Sequence, residues 1–229
     1  MPIVTQLTLL PRPTGRVAVD VDGVTIGVVP VDVVGRLGLV TRGEITSETA
    51  ALLADETAAL RTYDRALRLL AARGRSIREL RRRLVMAKEP EPSIDLAIER
   101  LTSSGLLDDA EYARQVARSR IVGRGHAPRR LKQELAKRGV ARDVADRAID
   151  LVMSEDAAPG SFGADAGIDL TATIEKLARR KLRSLASVDS QTRSRRLYAF
   201  LARRGYESGD IRAVLSRLDA EEITAPDSA

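Results

Sequence analysis

Cysteine and tryptophan are absent from the 229 residues, and histidine occurs once, at His126. Without thiols there can be no disulfide and no thiolate-held metal, a composition that suits a reducing compartment. A lone histidine rules out a two-histidine zinc site and leaves a Ser-His-Asp arrangement unsupported. Aromatic residues are scarce, four Tyr and two Phe, so there is little surface on which bases could stack, which argues against single-strand binding by aromatic platforms. No apolar run is long enough to span a membrane. The N-terminal MPIVTQLTLLPRPTG lacks the basic-then-apolar layout of a secretion signal. The chain is expected to be a cytoplasmic protein with no membrane segment, cofactor, metal or catalytic residue.

The clusters that could suggest chemistry have simpler readings. Asp20-x-Asp22-Gly23 resembles the start of a calcium loop, but the position where that loop needs a bidentate glutamate is Val31; a hairpin turn is the better reading. Asp108, Asp109 and Glu111 could be acid-base or metal groups, yet Asp108 and Glu111 have capping-box spacing before a helix. Gly123 and Gly125 are not followed by the Lys-Ser/Thr of a phosphate loop.

Charge is unevenly spread. Residues 1–60 hold four Arg against seven acids and residues 207–229 two against six, which leaves 32 basic and 19 acidic residues in 61–206. An excess of that size favours a polyanionic partner through counterion release.

The basic stretch is also repetitive. Leu80, Leu84, Ile94, Ala97, Ile98 and Leu101 recur 51 residues later as Leu131, Leu135, Ala145, Ala148, Ile149 and Val152. A further 66 residues on they recur as Leu197, Leu201, Ile211, Val214, Leu215 and Leu218. Spacings of three and four put these positions on helix stripes, and six matched positions in register twice imply a threefold repeat. Arg138-Gly139 and Arg204-Gly205 supply a glycine for the turn before the last helix. The first copy has Lys88 followed by Glu-Pro-Glu-Pro, which predicts that the prolines stop one helix and Ser93 caps the next. Pro128 suits the first turn of a helix.

The fold class expected is mainly α: tandem three-helix, helix-turn-helix-like repeats in an elongated array, with a small N-terminal segment containing a β-hairpin. Residues 1–60 are read as that β-rich segment leading into a helix, 61–104 as the first repeat, 105–153 as the second and 170–219 as the third. Between them 154–169, small and Gly-rich, is read as a flexible linker, and 220–229 as a disordered acidic tail. Between Ser47 and Arg73 one long helix or two would fit.

Arginines recur beside the apolar stripe. Arg78 maps onto Arg129 and Arg195, and Arg73-Gly74 onto Arg124-Gly125. Guanidinium groups bind phosphate or carboxylate bidentately and keep their charge, so Arg73, Arg78, Arg82, Arg124, Arg129, Arg130, Lys132, Arg195 and Arg196 are the candidate contact residues for nucleic acid or a complex containing it.

Three stretches resemble a known family: Ser76-x-x-Glu79-Leu80-Arg81-x-x-Leu84, Gly105-Leu106-Leu107-Asp108-Asp109-x-x-Tyr112-Ala113, and GHAPRRLKQELAKRGV from Gly125 to Val140. They are similar to the RecX family of recombinase regulators, and VDVDGVTIGVVPVDVVGRLGLVTRGE resembles the leader of many members. The chain is expected to be a monomer, and the resemblance implies a non-enzymatic bacterial protein that binds the RecA filament on single-stranded DNA. There it would restrain ATP hydrolysis, strand exchange and co-protease action, and so influence homologous recombination, DNA repair and the SOS response; direct contact with DNA is compatible with it. The alternative is a duplex-DNA-binding transcription regulator of helix-turn-helix type.

Overall fold

A computed structural model describes residues 2–155 and 170–224, which divide into two units, Met1–Asp108 and Asp109–Ala229. The first opens with β1 (Val4–Leu9), β2 (Arg16–Val21) and β3 (Val24–Pro30), an antiparallel sheet in that order. Alternation along β2 buries Val17, Val19 and Val21. Asp22 and Gly23, at φ 50° and 83°, make the tight turn that Asp-Gly favours, so the expected hairpin is present with β1 added as a third strand. Short α1 (Val31–Arg36) follows, then α2 (Ser47–Ala72), which is one helix. Thr46 accepts the Thr49 N–H at its start. Its first half covers the sheet: Leu53 joins Val4, Val19, Val29 and Ile45 in a core, and Gly27 lies so close to Thr57 that a Cβ would collide. Arg16 of β2 donates two hydrogen bonds, 2.5 and 2.6 Å, to Asp64 in the second half of α2.

That second half packs with α3 (Ile77–Met86) and α4 (Glu91–Ser103). Leu80, Leu84, Ile94 and Leu101 are fully buried here beside Ala66, each contributing about 1.5–3 kcal/mol by its removal from water. Ser76 caps α3 by accepting the Glu79 N–H at 3.1 Å. Ser93 does not cap α4. The helix starts earlier, at Glu91 after Pro90, and Ser93 is buried within it, because proline is tolerated in a first helical turn. The turn before α4 has the left-handed residue seen in the other copies, with Lys88 at φ 58° where Gly139 and Gly205 stand at 84° and 90°. Next to it the buried Glu89 carboxylate accepts from Thr62 at 2.9 Å and pairs with Arg65 at 2.7 Å. This ties the turn to α2. Left-handed backbone costs a side-chain-bearing residue about 1 kcal/mol or more, so Lys88→Gly is expected to raise the stability of the first unit by about 0.5–1 kcal/mol in chemical denaturation; a loss would show that Lys88 makes a compensating contact.

The second unit contains α5 (Asp109–Arg124), α6 (Pro128–Lys137), α7 (Arg142–Glu155), α8 (Leu170–Arg183), α9 (Ser190–Arg203) and α10 (Ser208–Thr224). The first three helices close around Leu131, Leu135 and Ile149, the last three around Leu197, Leu201 and Ile211. Of the apolar positions that repeat along the sequence, all are buried except Leu215, which is half-buried. Of the stretch read as a linker, Ser154 and Glu155 continue α7, and 156–169 lie outside the described residues. The tail is not wholly unstructured: α10 runs to Thr224, and Glu221 pairs with Arg179 of α8 at 2.7 Å. No helix among the described residues is long and apolar enough to cross a membrane.

Candidate functional site

Two turns of the second unit meet and build a groove. Helix α5 ends at Arg124 because Gly125 takes φ 59°, and the His126 N–H returns to the Arg120 carbonyl at 2.9 Å, a left-handed helix end. The loop this creates lies against the Arg204-Gly205-Tyr206 turn that follows α9. The Ala127 N–H donates to the Arg204 carbonyl at 3.0 Å, the Tyr206 hydroxyl to the Gly125 carbonyl at 3.1 Å, and the Arg204 guanidinium to the Arg124 carbonyl. Ala127 is buried in the core of the last three helices. Arg204 also stacks on Phe200, 4.5 Å from the ring centre. Burial pushes the Tyr206 phenol up to about 12, against the nearby charge of Arg204, so the hydroxyl remains a donor at any physiological pH.

Between α6 and that turn runs an open groove of 580 Å³. It is lined by Arg120, Arg124, Arg129, Arg130, Lys137 and Arg203, with His126 and Tyr206, and its only carboxylate among the described residues is Glu134. Glu134 is already engaged, accepting from Arg138 at 2.6 Å and from Arg120 at 3.1 Å. Burial works to raise its carboxyl, but the Arg120 hydrogen bonds and the charges of Arg120 and Arg138 outweigh burial and hold it below the usual range. Arg129 reaches Glu207 only at 4.0 Å. Among the described residues Arg124, Arg130, Lys137 and Arg203 have no ion-pair partner. Such a surface gathers anions; its guanidinium forks suit phosphate or carboxylate oxygens.

Of the residues singled out from the sequence, the groove brings together Arg124, Arg129 and Arg130. Lys132 is on α6 too, but its ammonium is held by Asp146 of α7 at 2.8 Å. Arg195 and Arg196 are exposed on α9 without lining the groove. Arg73, Arg78 and Arg82 belong to the other unit, where Arg73 pairs with Glu79 at 2.9 Å and Arg78 and Arg82 are exposed on α3. Sequence reasoning missed Arg120, Lys137, Arg203 and Arg204. The repeat contained a signal for two of them: Lys137 and Arg203 occupy equivalent positions, each just before the Arg-Gly of its turn.

Three family models match the chain: "RecX, first three-helix domain" over residues 63–101, "RecX, second three-helix domain" over 108–149 and "RecX, third three-helix domain" over 169–215. A protein named "Regulatory protein RecX" from Mycobacterium ulcerans is 38% identical over 157 residues, 68% of this chain and 83% of its own length. Its namesake from Thermobifida fusca is 35% identical over 158 residues, covering 69% and 78%. Among solved structures, "Crystal structure of regulatory protein RecX" superposes with a TM-score of 0.70 at 20% identity, over 93% of this chain and 98% of that one. At that identity it speaks for the fold.

Proposed function

The chain belongs to the RecX family of regulatory proteins, and from that premise we propose that it binds the RecA filament on single-stranded DNA and lowers the filament's ATP hydrolysis, strand exchange and co-protease action. The observation that carries this reading is the groove between α6 and the Arg204-Gly205-Tyr206 turn. It gathers six cationic side chains around one carboxylate that is already neutralised. A nucleoprotein filament is a polyanion with a regular repeat, and cationic side chains that neutralise its phosphates release the counterions condensed on it, which makes binding steeply salt-dependent. The exposed Arg78 and Arg82 of the first unit and Arg195 and Arg196 of α9 add further contacts in this proposal.

Regulation follows from differential affinity. A ligand that binds one filament state better than another moves the population toward it by that difference and no more. Side chains in the groove need only hold the filament in a state that turns over slowly, so the protein requires no chemistry of its own for this effect. The protein acts as a monomer in the cytoplasm in this reading.

Co-sedimentation separates the possibilities. The expected result is that the chain pellets with RecA assembled on single-stranded DNA and that binding weakens steeply as salt is raised. Equal partition with or without RecA would reduce the activity to DNA binding. Preferential retention on one duplex sequence would instead favour a helix-turn-helix transcription regulator.

A further inference from the structure

Between the α5–α6 loop and α8 lies a second, half-open cavity of 670 Å³. Arg124, Lys176, Arg180 and Arg204 line it together with His126 and an apolar wall that includes Leu177, and among the described residues no carboxylate does. Two buried polar atoms of its lining residues, His126 Nδ1 and Arg204 Nε, have no hydrogen-bond partner among the described residues. Buried polar atoms without partners are rare because each forfeits its hydration. Here two occur on residues that share one cationic cavity.

We propose that this cavity is a binding site for a phosphate group, with His126 Nδ1 and Arg204 Nε as donors and Arg124, Lys176 and Arg180 as the neutralising cations. The phosphate comes from a nucleic-acid backbone continuing out of the groove or from a free polyphosphate. Only the first source rests on the groove reading.

The site makes His126 a reporter. It faces Arg120 from α5, Arg130 and Glu134 from α6, and Arg204 from the turn before α10, with Lys176 and Arg180 of α8 across the cavity. Burial, then the charges of Arg130 and Arg204, hold its imidazole below the ordinary range, Glu134 opposing them. An entering phosphate reverses the local potential, so His126 takes up a proton. Affinity therefore rises as pH falls from the value at which the bound imidazole titrates to that of the free one, and levels off below it.

Because His126 is the only histidine, its imidazole proton resonance can be followed without assignment in the whole chain. The experiment is a pH titration of that resonance alone, with inorganic triphosphate, and with oligothymidylate. The expected result is an upward shift of at least one pH unit with ligand, equivalent to about tenfold tighter binding at the acid end. In the variant Lys176→Gln/Arg180→Gln, both exposed on α8, the shift is lost while salt-dependent oligonucleotide binding persists. A shift with both ligands, or with one, assigns the source. Oligonucleotide binding that leaves His126 unmoved, with no response to triphosphate, overturns the site and spares the groove. A response to triphosphate without oligonucleotide binding keeps the site and removes the groove's nucleic-acid reading.

Discussion

Replacing Arg129, Arg130 and Lys137 together by glutamate is expected to weaken binding to the RecA filament by about a hundredfold or more at moderate salt. A hydrogen bond to a charged group contributes about 1.5–3 kcal/mol, less where solvent screens it, so losing three of them exceeds the roughly 2.7 kcal/mol that a hundredfold represents. Reversal adds repulsion. The slope of log affinity against log salt should fall by about 0.7–0.9 for each phosphate contact removed, which separates lost ionic contacts from misfolding. The side chains are exposed on α6, so the helical content should not change. Lys132→Glu is the internal comparison. Its ammonium already pairs with Asp146 outside the groove, and its reversal should cost less than about twofold. A loss from Lys132→Glu one third as large, on a logarithmic scale, as that of the triple variant would mean that net charge matters and the groove does not.

The second large effect is on the junction that shapes the groove. Gly205 has φ 90°, and a Cβ built there would lie 2.5 Å from Arg130 Cβ and 3.2 Å from the Arg130 nitrogen. Alanine at this position carries the left-handed cost of about 1–2 kcal/mol and must also push α6 away from the turn, adding about 1–3 kcal/mol as overpacking does. Gly205→Ala is therefore expected to destabilise the second unit by about 2–5 kcal/mol and to reduce filament affinity, because the wall carrying Arg129 and Arg130 is displaced. Gly105 is the control. It is also left-handed, at φ 70°, but nothing lies within 4 Å of its missing Cβ, so Gly105→Ala should show the conformational cost alone. Denaturant unfolding of both variants measures the difference. If the two lost the same stability, the contact between the Gly205 turn and α6 would not be holding the groove.

Much of this architecture can be read in the amino-acid order because the repeat is written in apolar residues. A helix stripe that must be buried constrains side-chain type at every third or fourth position, and the matched leucines proved to be the cores of the three-helix groups. Turn geometry was legible where one residue type dominates, as with Asp22-Gly23 and the glycines at 139 and 205. It was misread at Ser93, where a good capping residue stands three positions inside a helix that Pro90 and Pro92 allow to begin earlier. Lys88 shows the reverse: a left-handed turn kept without glycine, alongside the buried Glu89 network.

The groove was only partly legible. Recurrence pointed to Arg124 and Arg129, and Arg130 stood beside them among the candidates, but which cations face one another depends on how two turns dock across about 80 residues of sequence. The Tyr206 hydrogen bond to Gly125 and the seating of Ala127 in the neighbouring core have no local pattern. His126 illustrates the limit well. Counting histidines leaves no pair for a two-histidine metal site, yet only its surroundings show a half-buried imidazole, with Nδ1 buried, among cations.

The most direct test of the central claim is single-stranded-DNA-dependent ATP hydrolysis by RecA, with the chain titrated far below one molecule per protomer and the glutamate-substituted groove variant run in parallel at the same salt. The account predicts that the unaltered chain inhibits at these ratios, more than its binding to bare DNA explains, and that the variant needs about a hundredfold more protein for the same effect, in line with its weaker binding. Unchanged hydrolysis with the unaltered chain, or equal inhibition by the variant, would contradict it.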